Sequence, residues 1–291
     1  MKTKNASFQI ADLGENIYVA KRLVKLQKEH PECFIEDAKI DFVFGSFPCA
    51  LWQGERAYMG YMPIYEIEET IKEFNENKVG IYYTFNNRKL DKNDIYDNYC
   101  NLIMKMSDNS LNVVEVYDDN LEKYLRKNYK KIKYSKRITE SNFDEINEDK
   151  YDYYILDTIF NDDYEKLETI KHPEKVIIVL NDYFVKGDKN YDILMDKVGE
   201  AVKNRKEASG FKIDMYGNYQ ETFDAGNIVQ HYQVARLFKM GINHYRIEGR
   251  NSTIQYFYIP SLMYYLVEEE FQGKVFSEIR EAFFDPITKK M

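Results

Sequence analysis

Cysteine is scarce in this chain, which carries only Cys33, Cys49 and Cys100. Their number is odd, no pair is spaced CxxC and no histidine pair stands near them. A disulfide framework and a structural zinc site are therefore unsupported. Long apolar runs are also missing. Nowhere do about 18 apolar residues follow one another, so no membrane span is expected. The opening stretch MKTKNASFQIADLGENIYVAKRL lacks the continuous apolar segment of a secretory signal, and the cytoplasm is the expected location. No strand-like run leads into GxGxxG, and neither HExxH nor GxSxG occurs, which removes the sequence grounds for a dinucleotide fold, a zincin or a nucleophile elbow. No linker rich in Gly, Pro or Ser divides the chain, so residues 1–291 are expected to form one domain.

Charge and hydrophobicity are present in globular proportions. Apolar residues make up 44% of the chain, enough for a large core. The 49 acidic and 41 basic residues leave a net charge of −8, which opposes tight binding to a phosphate backbone, so a nucleic-acid partner is disfavoured. Eight short β-branched and aromatic runs punctuate the sequence. They are IDFVFGS (40–46), VGIYYTFN (79–86), NVVEVYD (112–118), KIKYSKR (131–137), YYILDTI (153–159), KVIIVLN (175–181), FKIDMYG (211–217) and NHYRIEG (243–249). Helical patterns lie between most of them, although only a turn or two fits after the fourth. Alternating strand and helix implies a parallel sheet, and eight units are the number that closes a (β/α)8 barrel. An open doubly wound sheet stays the alternative, because periodicity counts units without showing closure. An N-terminal helix near residues 15–30 and an apolar C-terminal pattern at 254–271, interrupted by Glu268 to Glu270, are expected to pack on the barrel.

In such a barrel the functional side chains sit at strand C-termini and in the loops that follow. The residues there are unusually polar. They include Ser46, Trp52 and Arg56 after the first run, Thr84, Asn86 and Asn87 after the second, then Glu115, Asp118, Ser135, Arg137 and Asp157. Asn181, Asp182, Asp214 and Tyr216 follow, and Arg246, Glu248, Arg250 and Asn251 close the set. Carboxylates and guanidinium groups on one mouth can hold an anionic or zwitterionic ligand, and a partly desolvated carboxylate can move a proton. Taken singly, most strand-end polar residues are caps and ion pairs. Asp157, Asp214, Glu115 and Asn181 could also offer oxygen ligands to a hard divalent cation.

The segment LFKMGINHYRIEGRNSTIQYFYIPSLMYYL resembles the end of the barrel in the U32 family of collagenase-like peptidases, through Gly241, Arg246, Ile247, Glu248, Gly249, Arg250 and Tyr256. KVIIVLNDYFVKGDKNYDILMDKVG, GSFPCALWQGER and YYTFNNRKLDKNDIYDN carry weaker similarity to the same group. The resemblance implies an enzyme acting on a small polar, anionic or peptide-like substrate. Glu248 would be general acid or base with Asp157, Asp214 and Glu115 as partners. Arg250 would clamp an anion, and Arg246, Asn86, Asn181, Ser46, Arg56 and Tyr216 would bind substrate. Relatives that hydroxylate RNA bases or quinone precursors hold an iron–sulfur cluster on four cysteines, whereas Val185 and Gly187 stand in the matching loop here, so no cluster is expected. Loss of those cysteines also motivates a second reading, a non-catalytic barrel binding a ligand or a protein. The 26 tyrosines could serve such a contact or a homo-oligomer, or equally be ordinary barrel packing.

Overall fold

Eight short strands, rich in Val, Ile, Phe and Tyr and walled by buried residues on both faces, pair in parallel and close on themselves in sequence order. The computed structural model describes residues 6–14, 16–54, 60–182, 184, 190–206, 216–249 and 257–288, with backbone alone at 190, 191 and 282–288. The strands are β1 (Ala6–Ala11), β2 (Ala38–Gly45), β3 (Gly80–Phe85), β4 (Val113–Val116), β5 (Lys133–Ile138), β6 (Tyr153–Leu156), β7 (Val176–Val179) and β8 (His244–Ile247). Between and after them run α1 (Ile17–Glu29), α2 (Ile64–Glu76), α3 (Asn98–Ser107), α4 (Asp119–Asn128), α5 (Tyr164–Leu167), α6 (Asn190–Lys203), α7 (Tyr219–Asp224), α8 (His231–Lys239), α9 (Ile259–Leu266) and α10 (Gln272–Thr288). The architecture is the single (β/α)8 barrel that the repeating pattern implies, with the C-terminal helices packed on it.

Two features differ from the sequence expectation. The wall begins with ASFQIA, which is not among the eight expected runs, and α1 is therefore the crossover from β1 to β2 rather than an appendage. Conversely, the wall is complete without the expected run at 211–217, of which 211–215 lie outside the described residues. β7 pairs directly with β8, from Ile177↔His244 to Val179↔Arg246, and β1 closes the ring through Ser7↔His244 and Gln9↔Arg246.

The helices form for ordinary local reasons. In α2 the buried Ile67, Thr70, Ile71 and Phe74 recur at helical spacing and face the sheet. The Asp118 carboxylate accepts from the Leu121 amide and starts α4, which buries Leu121 and Leu125. After β5 the chain makes only the short 3-10 segment Glu140–Asn147. Pro260 sits in the first turn of α9, where its missing N–H is no loss. Among the described residues no helix is long and apolar enough to cross a membrane.

Candidate active site

Side chains alternate along each strand, so Gln9 on β1, Phe44 on β2, Tyr82 on β3, Glu115 on β4, Ser135 and Arg137 on β5 and Arg246 on β8 all face the interior. That layer is usually branched aliphatic in barrels of this kind. Here it is charged. Arg246 is fully buried, its Nε donating to Gln9 Oε1 at 2.9 Å and its Nη1 to Glu115 Oε2 at 3.4 Å. Phe44 and Tyr82 present their rings to the same guanidinium, each 4.4 Å from its carbon. The other Glu115 oxygen accepts from Arg137 Nε at 3.0 Å. Glu115 is buried, whereas the Arg137 side chain is one-third exposed. Arg246, Glu115 and Arg137 thus form one chain of charge from the sealed interior to the mouth. The Tyr82 hydroxyl donates to Ser135 Oγ at 2.5 Å, and burial, reinforced by the Glu115 charge, pushes its phenol well above the ordinary range.

Such a layer is expensive. Taking an ion out of water costs several kcal/mol even after relaxation, and a pair replaced by well-packed apolar groups is often as stable or more so. Hydrogen bonding is also incomplete. Among the described residues, Arg246 Nη2, Gln9 Nε2, Ser7 Oγ and His244 Nδ1 are buried without a hydrogen-bond partner. These four residues are strand neighbours, Ser7 beside His244 and Gln9 beside Arg246. Each unmet polar group costs about 1–3 kcal/mol, and groups left in that state concentrate at functional sites.

One step above Arg246 on β8 comes Glu248, whose backbone is fixed from two sides. Asn181, at the end of β7, accepts from the Glu248 amide at 2.7 Å and donates to its carbonyl at 2.9 Å, and also to Ser261 Oγ at 3.1 Å. Gly249 lies flat against Tyr258, where a Cβ would sit 2.5 Å from the ring, and the Tyr258 hydroxyl donates to the Ala11 carbonyl. A backbone held this way aims its side chain reproducibly.

The remaining expected site residues are distributed as follows. Asp157 caps the turn after β6 by accepting from the Ile159 amide at 3.1 Å. Ser46 is buried and donates to the Thr84 carbonyl at 3.0 Å. Asn86 accepts from the Gly54 amide at 3.0 Å. Tyr216 is half-buried before α7. Arg56, Asp214, Arg250 and Asn251 lie outside the described residues. Among the described residues no three His, Cys, Asp or Glu side chains gather as metal ligands. Three cysteines, two of them buried, cannot supply the four thiolates of an iron–sulfur cluster. His231 packs its ring 4.1 Å from that of Tyr264, and burial lowers its pKa. Sequence reasoning missed Gln9, Phe44 and Tyr82. Phe44 and Tyr82 read as core, while Gln9 at the centre of FQIA becomes visible only once that segment is recognised as a strand.

No family model and no curated protein matches the chain. Solved structures do. A U32 peptidase superposes with a TM-score of 0.50 at 10% identity, covering 86% of this chain and 95% of that one. An HpcH/HpaI aldolase from Desulfitobacterium hafniense DCB-2 gives 0.41 at 8% identity over 87% and 89%, and a GH113 beta-1,4-mannanase gives 0.42 at 10% over 96% and 99%. The chain is a divergent barrel with a U32-like fold.

Proposed function

We propose that the protein is a barrel enzyme acting on a small polar molecule that carries an anionic group, bound at the C-terminal mouth. The observation that carries this reading is the buried chain Arg246–Glu115–Arg137, charged where packing alone would favour aliphatic residues. Arg137 presents a guanidinium to the mouth, Arg246 with Gln9 supplies donors at the floor, and Arg250 would clamp the anion. Glu248 serves as general acid or base, with Asp157 and Asp214 as partner carboxylates. Ser46, Asn86, Arg56 and Tyr216 would bind the rest of the substrate, and Asn181 acts by positioning Glu248. A peptide-like substrate fits through its terminal carboxylate, and the cytoplasm is the compartment this reading implies.

Calorimetric titration with succinate, phosphate and glycylglycine tests it. At least one probe should bind, and Arg137→Ala should weaken that binding at least about tenfold, the loss of about 1.4 kcal/mol. Equal binding by the variant, or no binding of any probe, overturns the anionic class. Once a converted substrate is found, Glu248→Gln should bind it without turnover. Full turnover by that variant removes Glu248 from the chemistry.

A further inference from the structure

Between β7 and β8 the chain makes a long excursion that leaves and returns at one neck. Asn181 bridges to Ile228, the Val229 amide donates to the Leu180 carbonyl at 2.8 Å, and the Asp182 amide donates to the Asn227 carbonyl at 3.1 Å. The Asn227 side chain ties the neck further, donating to the carbonyls of Asp182 and Phe184. Within the excursion α7 stays close by, with Tyr219 and Phe223 against Tyr264, but α6 reaches elsewhere. α6 lands on the loop after β3, which stands opposite β7 in a ring of eight. Arg88 Nη1 meets Asp192 Oδ1 at 2.7 Å, and Lys89 Nζ meets Asp196 Oδ2 at 2.5 Å. Lys203 pairs with Asp91, and with Asp94 at 3.1 Å. Asn87 Nδ2 donates to the Gly199 carbonyl at 3.3 Å, and a Cβ on Gly199 would stand 2.6 Å from Asn87 Oδ1, so the helix sits directly on that side chain.

α6 also keeps its own packing. Its buried Leu194, Met195, Val198 and Val202 form a small cluster of their own, joined to the continuous core of the barrel through Phe184, which packs on both. Its attachment to the far rim is therefore mostly ionic. Three of the four acids in that attachment are exposed, Asp192 at 80%, Asp91 at 74% and Asp196 at 44%, whereas Asp94 is at 19%. Pairs of that kind contribute little each and weaken with salt.

We propose that α6 is a roof that crosses the barrel mouth from the β7 neck to the β3 rim, latched there by these ion pairs, and that it opens as a unit when the latch is broken. The proposal deepens the reading of the mouth as the site, since a roofed mouth admits its ligand only when the latch lets go. Its test needs no ligand, so the anion titrations can fail while the roof stands, and the reverse.

Hydrogen exchange of the 190–203 segment, followed from about 0.01 M to about 1 M NaCl, takes the screening length from about 30 Å to about 3 Å. Exchange there should speed up several-fold while β3 and β7 stay unchanged, and Arg88→Ala with Lys203→Ala should reproduce the effect at low salt. The single tryptophan supplies a second signal, because Asn87 binds the carbonyls of both Trp52 and Gly199 through its backbone and side-chain nitrogens. Acrylamide quenching of Trp52 should rise with the same salt and the same variants. If α6 stays as protected as β3 under all these conditions and quenching does not change, the helix is a fixed part of the wall and the proposal is overturned. Exchange that rises equally in α6 and in the strands means global unfolding, and overturns it as well.

Discussion

The lower and upper parts of the barrel interior solve the same packing problem in opposite ways. Below, Phe42 meets Tyr82 of the charged layer edge to face at a ring-centroid distance of 6.3 Å, Phe42 meets Tyr153 at 5.8 Å, and Tyr153 meets His244 at 5.2 Å. Above, the space is filled by Arg246, Glu115 and Arg137 with their partners. Aromatic edges on faces are favourable by themselves. Buried guanidinium and carboxylate groups are not, and need one another merely to offset desolvation. The lower part accounts for stability, and the upper part asks for another explanation.

Substitutions can break that contrast or sharpen it. Phe42→Ala should lower unfolding free energy by about 3–5 kcal/mol in urea titration, and leave anion binding intact. Glu115→Ala should lower it by a similar 3–5 kcal/mol, because the Arg246 charge is left buried without its carboxylate, and should abolish binding as well. The decisive variant is the pair Glu115→Leu with Arg246→Met. It should be as stable as the natural chain, or more stable by about 1–4 kcal/mol, while binding no anion. If the pair is as unstable as Glu115→Ala alone, the charged layer is structural fill and the contrast fails.

Smaller effects follow higher in the barrel. Gly249→Ala drives a methyl into the Tyr258 ring and should cost about 1–3 kcal/mol, read as a lower urea midpoint. Asn181→Ala leaves the amide and carbonyl of Glu248 without that partner, at about 1–3 kcal/mol, and should reduce turnover more than ligand affinity. The smallest effect is a pH dependence from the lower part. Burial lowers the His244 pKa from its ordinary 6.5, so the folded state favours the neutral ring. Stability is then unaffected above that value. As pH falls below it the unfolded chain takes up the proton first, and stability is lost until the folded value is passed. His231 shifts the same way, so His244→Gln should remove part of the loss between about pH 7 and about pH 5, not all of it.

Much of this was legible in the sequence, and the rest was hidden for physical reasons. Seven of the eight expected runs became strands, most of them because continuous apolar segments in a parallel sheet are buried on both faces, although β5 keeps Lys133, Lys136 and Arg137 partly exposed. β1 escaped notice since Ser7 and Gln9 point inward and interrupt the apolar run that marks its neighbours. The run at 211–217 reads as a wall strand because alternation is a local property, whereas membership of the wall is decided by pairing, and the ring closes without it. Glu115, Arg137, Arg246 and Glu248 could be singled out at strand ends. That Arg246 lies between Phe44 and Tyr82 could not, since that depends on the stagger of three strands.

The seam between β1 and β8 joins residues as distant as Ser7 and His244, and this sets an order in time. Contacts so far apart along a chain form slowly, because a long loop must close before they yield anything. Until β8 has arrived, β1 presents an unpaired edge, and Gln9 waits for the guanidinium that occupies it. The charged layer is therefore completed in the same event that completes the wall, and a nascent chain that stops short of residue 244 has most of a barrel and none of its floor.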